Sequence, residues 1–291
     1  MFYDSDLLSD AMERVGQDPS DAEIARAFGI FMVVAGNLDE AVEQFERAVR
    51  LDPTDTDALN IQGLLLRDMG RWREARHAFE RLLGLSPDDP EVLSHLGVVL
   101  VNLGDSDEGC GYLDRAVELD ETNCQLWSNR GTALNQLGDL EGARDNLDRA
   151  LELNPEDVQA QINLGVVFAR LEQPEEAHRH LDRAVALAPT APQVYNDRGA
   201  ALNLLGCYEE ANRSLDQALE LDPEDPLAWY NKAVSLHNLR RSDEALQCLQ
   251  EALDRDPSMT DALSYKGIIL SELGRLQESE AVFDKIAERD G

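Results

Sequence analysis

Apolar residues recur along the chain at helical spacing, in short stretches separated by polar turns. In residues 124–157 the first stretch carries Trp127, Gly131, Leu134 and Leu137, and the second carries Leu140, Ala143, Leu147, Ala150 and Leu151. Gly138 lies between the two stretches, where a left-handed helix cap is expected, and Pro155 follows the second, where a helix must stop. The pattern predicts a helix, a tight turn, a second helix and another turn.

This unit repeats with a period of 34 residues. Residues 130–155 and 198–223, two periods apart, are identical at 16 of 26 positions. The turn prolines share one register: Pro53, Pro87, Pro155, Pro189, Pro223 and Pro257, with Glu121 at the one interruption. A pair of helices of this size cannot bury its own apolar faces. Stacked neighbours would complete the core, so the period predicts an α-solenoid.

The small and apolar residues of the second stretch carry a specific resemblance. The spacings Ala41-x3-Phe45-x2-Ala48-x4-Pro53 and Ala177-x3-Leu181-x2-Ala184-x4-Pro189 resemble those of the tetratricopeptide repeat family. The resemblance implies an all-α, right-handed superhelix of about eight helix-turn-helix repeats. We place these repeats at residues 22–55, 56–89, 90–123, 124–157, 158–191, 192–225, 226–259 and 260–291.

Residues 1–21 precede the first full repeat. Pro19 lies 34 residues before Pro53, and the preceding residues carry an apolar stripe of Leu7, Leu8, Ala11 and Val15. We interpret this segment as an N-terminal capping helix, half a repeat, that would cover the first repeat. The alternative is a mobile or swapped arm.

Charge and cysteine content narrow the classes of partner. The 58 acidic and 26 basic residues give a formal net charge of −32, which disfavours nucleic acid and anionic membranes. The first ten residues, MFYDSDLLSD, lack the features of a signal peptide, and no stretch is apolar enough to span a membrane. The four scattered cysteines favour reduced thiols, so we expect a cytoplasmic protein without membrane insertion.

The family resemblance implies that first helices line a concave groove and second helices form the outer wall. The net charge of the first fourteen residues of the eight repeats sums to zero, so the expected lining is neutral and polar. We predict a peptide-binding groove that includes Asn129, Asn135, Asn163, Arg170, Asn196, Asn203, Tyr230, Asn231, His237, Asn238 and Tyr265. Asparagine amides match the N–H and C=O groups of an extended peptide. The alternative is that they satisfy only local backbone groups.

Basic residues occupy the seventh position of several repeats: Arg130, Arg198, Lys232 and Lys266. They would either attract an acidic segment or, as we favour, pair with acids of the preceding repeat. Some relatives bind chaperone C-terminal tails through Lys and Asn at the fifth and ninth positions of one repeat. Here Arg26 and Ile30 stand at those positions, so we do not predict such binding.

No catalytic, metal-binding or cofactor-binding motif is found in the sequence. His178 and His180 are two residues apart on a helix and would point in different directions. We therefore expect a non-catalytic scaffold, with no cofactor or metal, that binds an extended peptide segment of a protein partner. The alternative is a self-assembling structural or adaptor protein that forms homo-oligomers through its solenoid ends. The last helix, with Val282, Phe283 and Ile286, would supply that contact.

Three local departures from the repeat pattern predict weak points. Gly109 and Gly111 fall inside the second helix of repeat 90–123, which we expect to be the least stable second helix and a candidate hinge. Glu172 and Arg240 replace the glycine that caps the first helix in other repeats. Those two turns should be strained or built differently.

Overall fold

The computed structural model describes residues 20–290 and divides the chain into two compact units, which meet in sequence between Asp139 and Leu140. The described residues form sixteen α-helices and no strand. Unit 1 contains α1 (Asp21–Val34), α2 (Leu38–Leu51), α3 (Thr56–Asp68), α4 (Trp72–Leu85), α5 (Pro90–Leu103), α6 (Ser106–Leu119) and α7 (Cys124–Leu137). Unit 2 contains α8 (Leu140–Leu153), α9 (Val158–Arg170), α10 (Pro174–Leu187), α11 (Pro192–Leu204), α12 (Tyr208–Leu221), α13 (Pro226–Asn238), α14 (Ser242–Arg255), α15 (Thr260–Glu272) and α16 (Leu276–Asp290).

The prediction of an all-α solenoid of helix pairs is confirmed. Each second helix is amphipathic and buries one stripe, as α12 does with Ala211, Leu215 and Ala218. First helices inside a unit are buried on two sides, as α13 is, because it contacts its own second helix α14 and the preceding second helix α12. The predicted capping helix of residues 1–21 lies outside the described residues except for its last two positions, Ser20 and Asp21.

Close approach of the two helices in a pair depends on a very small residue in the first helix. A Cβ atom added at Gly199 would lie 2.5 Å from Leu215 Cγ, well inside van der Waals contact. The same eighth position holds Gly165 and Gly267 in other pairs of unit 2, where an added Cβ would lie 2.7 Å from Leu181 and 2.6 Å from Phe283. This position therefore fixes the spacing of the helix pairs that carry glycine there.

Most first helices of the described repeats are followed by a glycine with positive φ, such as Gly138 (φ 89°). Glycine adopts this left-handed conformation without strain. Glu172 and Arg240 adopt the same conformation, with φ of 58° and 64°. The expectation of strain at these two turns is confirmed: the chain keeps the turn geometry although neither residue is glycine. Each such residue costs on the order of 1 kcal/mol.

A side chain at the fourth position of several first helices holds the preceding turn in place. Trp229 Nε1 donates to Pro223 O at 2.9 Å, and Tyr195 Oη donates to Pro189 O at 3.0 Å. Trp127 Nε1 makes the equivalent bond to Glu121 O at 3.0 Å. The proline therefore terminates the second helix while its carbonyl, or that of Glu121, anchors the next first helix.

The two glycines of α6 differ in their surroundings. Gly109 lies against α5, where an added Cβ would be 2.8 Å from Gly97 O and 2.8 Å from a methyl of Val101. Gly111 is exposed, and nothing lies within 4 Å of an added Cβ. The close packing against α5 therefore requires glycine at position 109. Gly111 weakens the helix, and no close packing requires a glycine there. That α6 is the least stable second helix stays a prediction.

We expect Gly111→Ala to stabilise the protein by about 0.5–1 kcal/mol, because alanine loses less backbone entropy in a helix than glycine. Gly109→Ala, the matched change two residues away, should destabilise it by about 1–3 kcal/mol through overpacking against Gly97 and Val101. Urea unfolding followed by circular dichroism measures both free energies. Effects of the same sign for both variants would contradict this account of α6.

Candidate functional site

Neighbouring first helices of unit 2 contact one another, α9 with α11 and α11 with α13. In a curved stack of repeats, the helices that contact the equivalent helices of neighbouring repeats lie on the inner side. We call this side of α9, α11, α13 and α15 the inner face of unit 2. It carries most of the predicted groove residues.

Asparagine amides on α11 and α13 bridge the two helices. Asn231 Nδ2 donates to Asn196 Oδ1 at 2.9 Å, and Asn203 Nδ2 donates to Asn231 O at 3.0 Å. Ser235 Oγ in turn donates to Asn203 Oδ1 at 2.8 Å. Asn196 is buried, with 4% of its surface exposed, so it does not offer its side chain to a partner as we had expected. These contacts favour the internal role for Asn196, Asn203 and Asn231.

The other predicted amides also make contacts within the protein. Asn163 Oδ1 accepts from Gln159 Nε2 at 3.0 Å, and the exposed Asn238 donates to Val234 O at 2.9 Å. In unit 1, Asn129 Nδ2 donates to Ser94 Oγ at 2.9 Å while its Oδ1 accepts from Gln125 Nε2 at 2.9 Å. Asn135 is half-buried on α7. An amide has two N–H donors and two acceptor lone pairs, so these side chains keep some capacity for a partner, but contacts within the protein already fix their orientation.

The structure brings three predicted groove residues together as an aromatic cluster, Tyr230, Tyr265 and His237. The ring centroids of Tyr230 and Tyr265 are 6.0 Å apart, and those of His237 and Tyr265 are 5.6 Å apart, both in edge-on geometry. All three side chains are half-buried. The cluster therefore combines rigid packing with an open surface on α13 and α15.

Polar contacts fix this aromatic cluster further. His237 Nε2 lies 3.2 Å from Glu272 Oε2, and its Nδ1 lies 3.2 Å from Ser242 Oγ, so the ring is held from both sides. Burial, with a smaller effect of Tyr230 and the charge of Glu272, raises the pKa of Tyr265 to about 12. Its phenol therefore stays protonated at neutral pH and can donate a hydrogen bond.

The seventh-position bases leave the inner face. Arg198 bonds Asp182 at 2.8 Å, and Lys232 bonds Asp216 at 2.6 Å; both acids lie on the preceding second helix. Arg130 pairs with Asp114 in the same way in unit 1, at 2.7 Å, so our favoured interpretation of these residues is confirmed at three positions. At the fourth, Lys266 Nζ donates to the amide of Gln250 instead, at 2.6 Å.

Asp197 belongs to the same register of the inner face and differs from its neighbours in charge. It occupies the sixth position, between the equivalent Asn163 and Asn231, and within the described part of the chain it has no hydrogen-bond or ion-pair partner. Burial and then the charge of Asp225 raise the pKa of Asp197 to about 6. The available sequence signal was a single acid in a register otherwise rich in asparagine.

Family models described as Tetratricopeptide repeat match residues 33–68, 60–123, 128–192, 192–225 and 226–259. The chain belongs to the tetratricopeptide repeat family. No curated protein matches the sequence at a significant level.

Two solved structures of tetratricopeptide repeat type share the fold. Yeast Tom70 superposes with a TM-score of 0.72 and 21% identity, over 94% of this chain and 61% of the Tom70 chain. A tetratricopeptide repeat protein from Parabacteroides merdae gives a TM-score of 0.66 and 15% identity, over 86% of this chain and 98% of the other. The chain thus spans less than two thirds of Tom70. At these identities the similarity concerns the fold alone.

The fifth-position base of the first tetratricopeptide repeat is used within unit 1. Arg26 Nη1 lies 2.8 Å from Asp55 Oδ1 and 3.0 Å from Asp57 Oδ2. Asp55 also caps α3 by accepting from the backbone N–H of Ala58. The guanidinium is therefore committed to two carboxylates of its own chain.

No helix in residues 20–290 combines the length and the apolar character needed to cross a bilayer.

We expect Asp197→Asn to raise the free energy of unfolding above pH 6 by about 1–2 kcal/mol, since a pKa unit is worth about 1.4 kcal/mol before solvent screening. The pKa of Asp197 is about 6 in the folded protein, against the ordinary aspartate value of 3.8. The folded state therefore binds the proton more tightly, and the ionised carboxylate destabilises it. This cost is complete above about pH 6 and disappears as the pH falls through 3.8.

Urea unfolding at several pH values measures this difference. Asp284→Asn, which removes a charge from an exposed position of α16, is the charge-matched control. The gain for Asp197→Asn should shrink on acidification and the control should show no such trend. A gain that is independent of pH would contradict the assignment.

Proposed function

We propose that this chain is a non-catalytic scaffold that holds an extended segment of a partner protein on the inner face of unit 2. The observation that carries the proposal is the aromatic cluster of Tyr230, Tyr265 and His237, which is packed in a fixed geometry and only half-buried. Tyrosine anchors of this kind dominate binding free energy in many interfaces, because they bury a large area with little loss of side-chain entropy.

Polar residues beside the aromatic cluster would align the bound segment. Asn238 is exposed on α13, Asn163 is half-exposed on α9, and Arg170 is exposed at the end of α9. The protonated phenol of Tyr265 adds a donor for a backbone carbonyl of the partner. In this arrangement the buried amides of α11 and α13 stabilise the face, and the aromatic and exposed polar groups make the contacts.

The nature of the partner follows from charge. A chain with a net charge of −32 repels nucleic acid and anionic lipid, so a protein segment in the cytoplasm is the partner we propose. Membership of the tetratricopeptide repeat family supports an interaction scaffold of repeat type and names no specific partner.

We expect the immobilised wild-type chain to select binders from a displayed library of random dodecapeptides. Tyr230→Ala combined with Tyr265→Ala should reduce the affinity for the selected peptides about tenfold or more, since central aromatic anchors contribute most to such interfaces. Fluorescence anisotropy with labelled peptides measures the loss. Tyrosines are the better choice for this test, because Asn231→Ala would also break the bridge between α11 and α13.

Tyr112→Ala is the matched control, because Tyr112 is a half-buried aromatic residue on the second helix α6 of unit 1. It should lose some stability and keep full peptide affinity. Failure of the wild-type chain to select any peptide, or equal losses for both sets of variants, would exclude the inner face of unit 2 as the binding surface.

Self-assembly through the last repeat is the second candidate function. Leu273 and Leu276 are exposed there, by 43% and 64%. Val282 is buried, and Phe283, although 43% exposed, packs its ring against Gly267, so Phe283→Glu would disturb folding as well. We therefore expect Leu276→Glu to dissociate any oligomer of the wild-type chain, measured by light scattering at high concentration. A monomeric wild-type chain under those conditions would remove this candidate.

A further inference from the structure

The basic side chains at the seventh position of α11, α13 and α15 point away from the inner face of unit 2, towards the outer wall. The bases on α11, α13 and α15 turn towards the preceding second helices: Arg198 to Asp182, Lys232 to Asp216 and Lys266 to Gln250. The first helices carry no net charge in sum. Because these bases turn to the preceding second helices, the acidic side chains are left on the inner face. The expected neutral lining is therefore wrong for the stretch from α11 to α15.

Asp197 lies in this acidic stretch on α11, the helix that contacts α13 of the aromatic cluster. Within residues 20–290 it has no cationic partner, and the charge that acts on it is that of Asp225, the N-cap of α13. Burial is the main cause that raises the pKa of Tyr230 and Tyr265, and the charges of the nearby Asp261 and Glu272 raise the pKa of Tyr230 and Tyr265, respectively, further. A half-exposed aromatic surface bordered by carboxylates is complementary to a basic segment.

Unit 1 contains a cationic side chain at the corresponding place of another repeat. The cap residue Asp55 corresponds to Asp225, and the guanidinium of Arg26 lies 2.8 Å from it. In repeat 192–225 the residue equivalent to Arg26 is Asn196, which is buried and bonded to Asn231. The repeat geometry therefore accommodates a cation beside the cap residue, and here the chain does not provide one.

We propose that the inner face from α11 to α15 is the docking surface for a basic extended segment of a partner protein, with one Lys or Arg side chain bound at Asp197. This inference rests on the proposed function and names the chemistry of its partner. Tyr230 and Tyr265 contact the aliphatic stem of the basic side chain and the neighbouring residues of the segment. Asp225 adds a second carboxylate without leaving its capping position.

Long-range attraction by the whole chain would also draw basic peptides to any part of its surface, since the net charge is −32. The positional signature of the binders separates the two effects. Diffuse attraction favours basic residues anywhere in a peptide and fades with salt, whereas a specific contact with Asp197 requires one at a fixed place.

The test is a selection from the same dodecapeptide library at about 0.15 M salt with four versions of the full chain. These are the wild type, Asp197→Asn, Asp197→Lys and the charge-matched control Asp284→Asn. We expect the wild type and the control to select Lys or Arg at one fixed position relative to a shared motif. Asp197→Asn should select the motif without that preference, and Asp197→Lys should replace it with Asp or Glu.

A double-mutant cycle then measures the contact itself. For a selected peptide, Asp197→Asn should weaken binding about tenfold, and the same substitution should have little effect once the basic residue of the peptide is glutamine. Asp225→Asn, which keeps a residue that caps helices well, should give a smaller loss of the same kind. Circular dichroism and thermal unfolding of each variant verify that the fold is kept.

The possible outcomes distinguish this inference from the proposed function. Peptides selected without a basic residue at a fixed position, or with a preference that Asp197→Asn leaves unchanged, would overturn the inference and leave the scaffold function standing. If the wild-type chain selects no peptide at all, both fall. Recovery of acidic peptides by the Asp197→Lys variant would be the strongest support, because it reverses the specificity by one side chain.

Discussion

The structure depends on the close approach of two helices within each pair. A very small residue at the eighth position of the first helix, such as Gly199, admits a large side chain of the second helix, here Leu215, where a methyl group would already clash. This contact fixes the distance and rotation of the two helices. Every other side chain of the first helix then has a determined direction, towards the preceding repeat or towards the inner face.

The separation of charge follows from that rotation. Asp197 and Arg198 are adjacent in sequence, and a helix places adjacent residues about 100° apart, so they serve different surfaces. Arg198 turns to Asp182 on the outer side, and Asp197 stays on the inner face without a counter-charge. A first helix without net charge can therefore present a charged surface, because its acidic and basic side chains point to different surfaces.

In the proposed scaffold, stability and binding use different residues of the same inner face. The amides of Asn196, Asn203 and Asn231 form hydrogen bonds between neighbouring first helices. Without these bonds, polar groups at the helix contact would be left unsatisfied. The aromatic cluster around Tyr265 is packed in a fixed geometry and still half-exposed. A scaffold built in this way pays little entropy on binding, because its contact groups are already ordered.

The sequence by itself determined the helix pairs, their turns and the repeat period, because these depend on contacts a few residues apart: apolar spacing, capping glycines and prolines. Even the strained turns at Glu172 and Arg240 followed from the register. Only the tertiary structure decided the use of the polar side chains. Asn231 bonds Asn196 from 35 residues away, and an amide can serve a helix neighbour or a peptide with equal ease. Its partner is set by the distance and rotation of the packed helices, which local spacing does not specify.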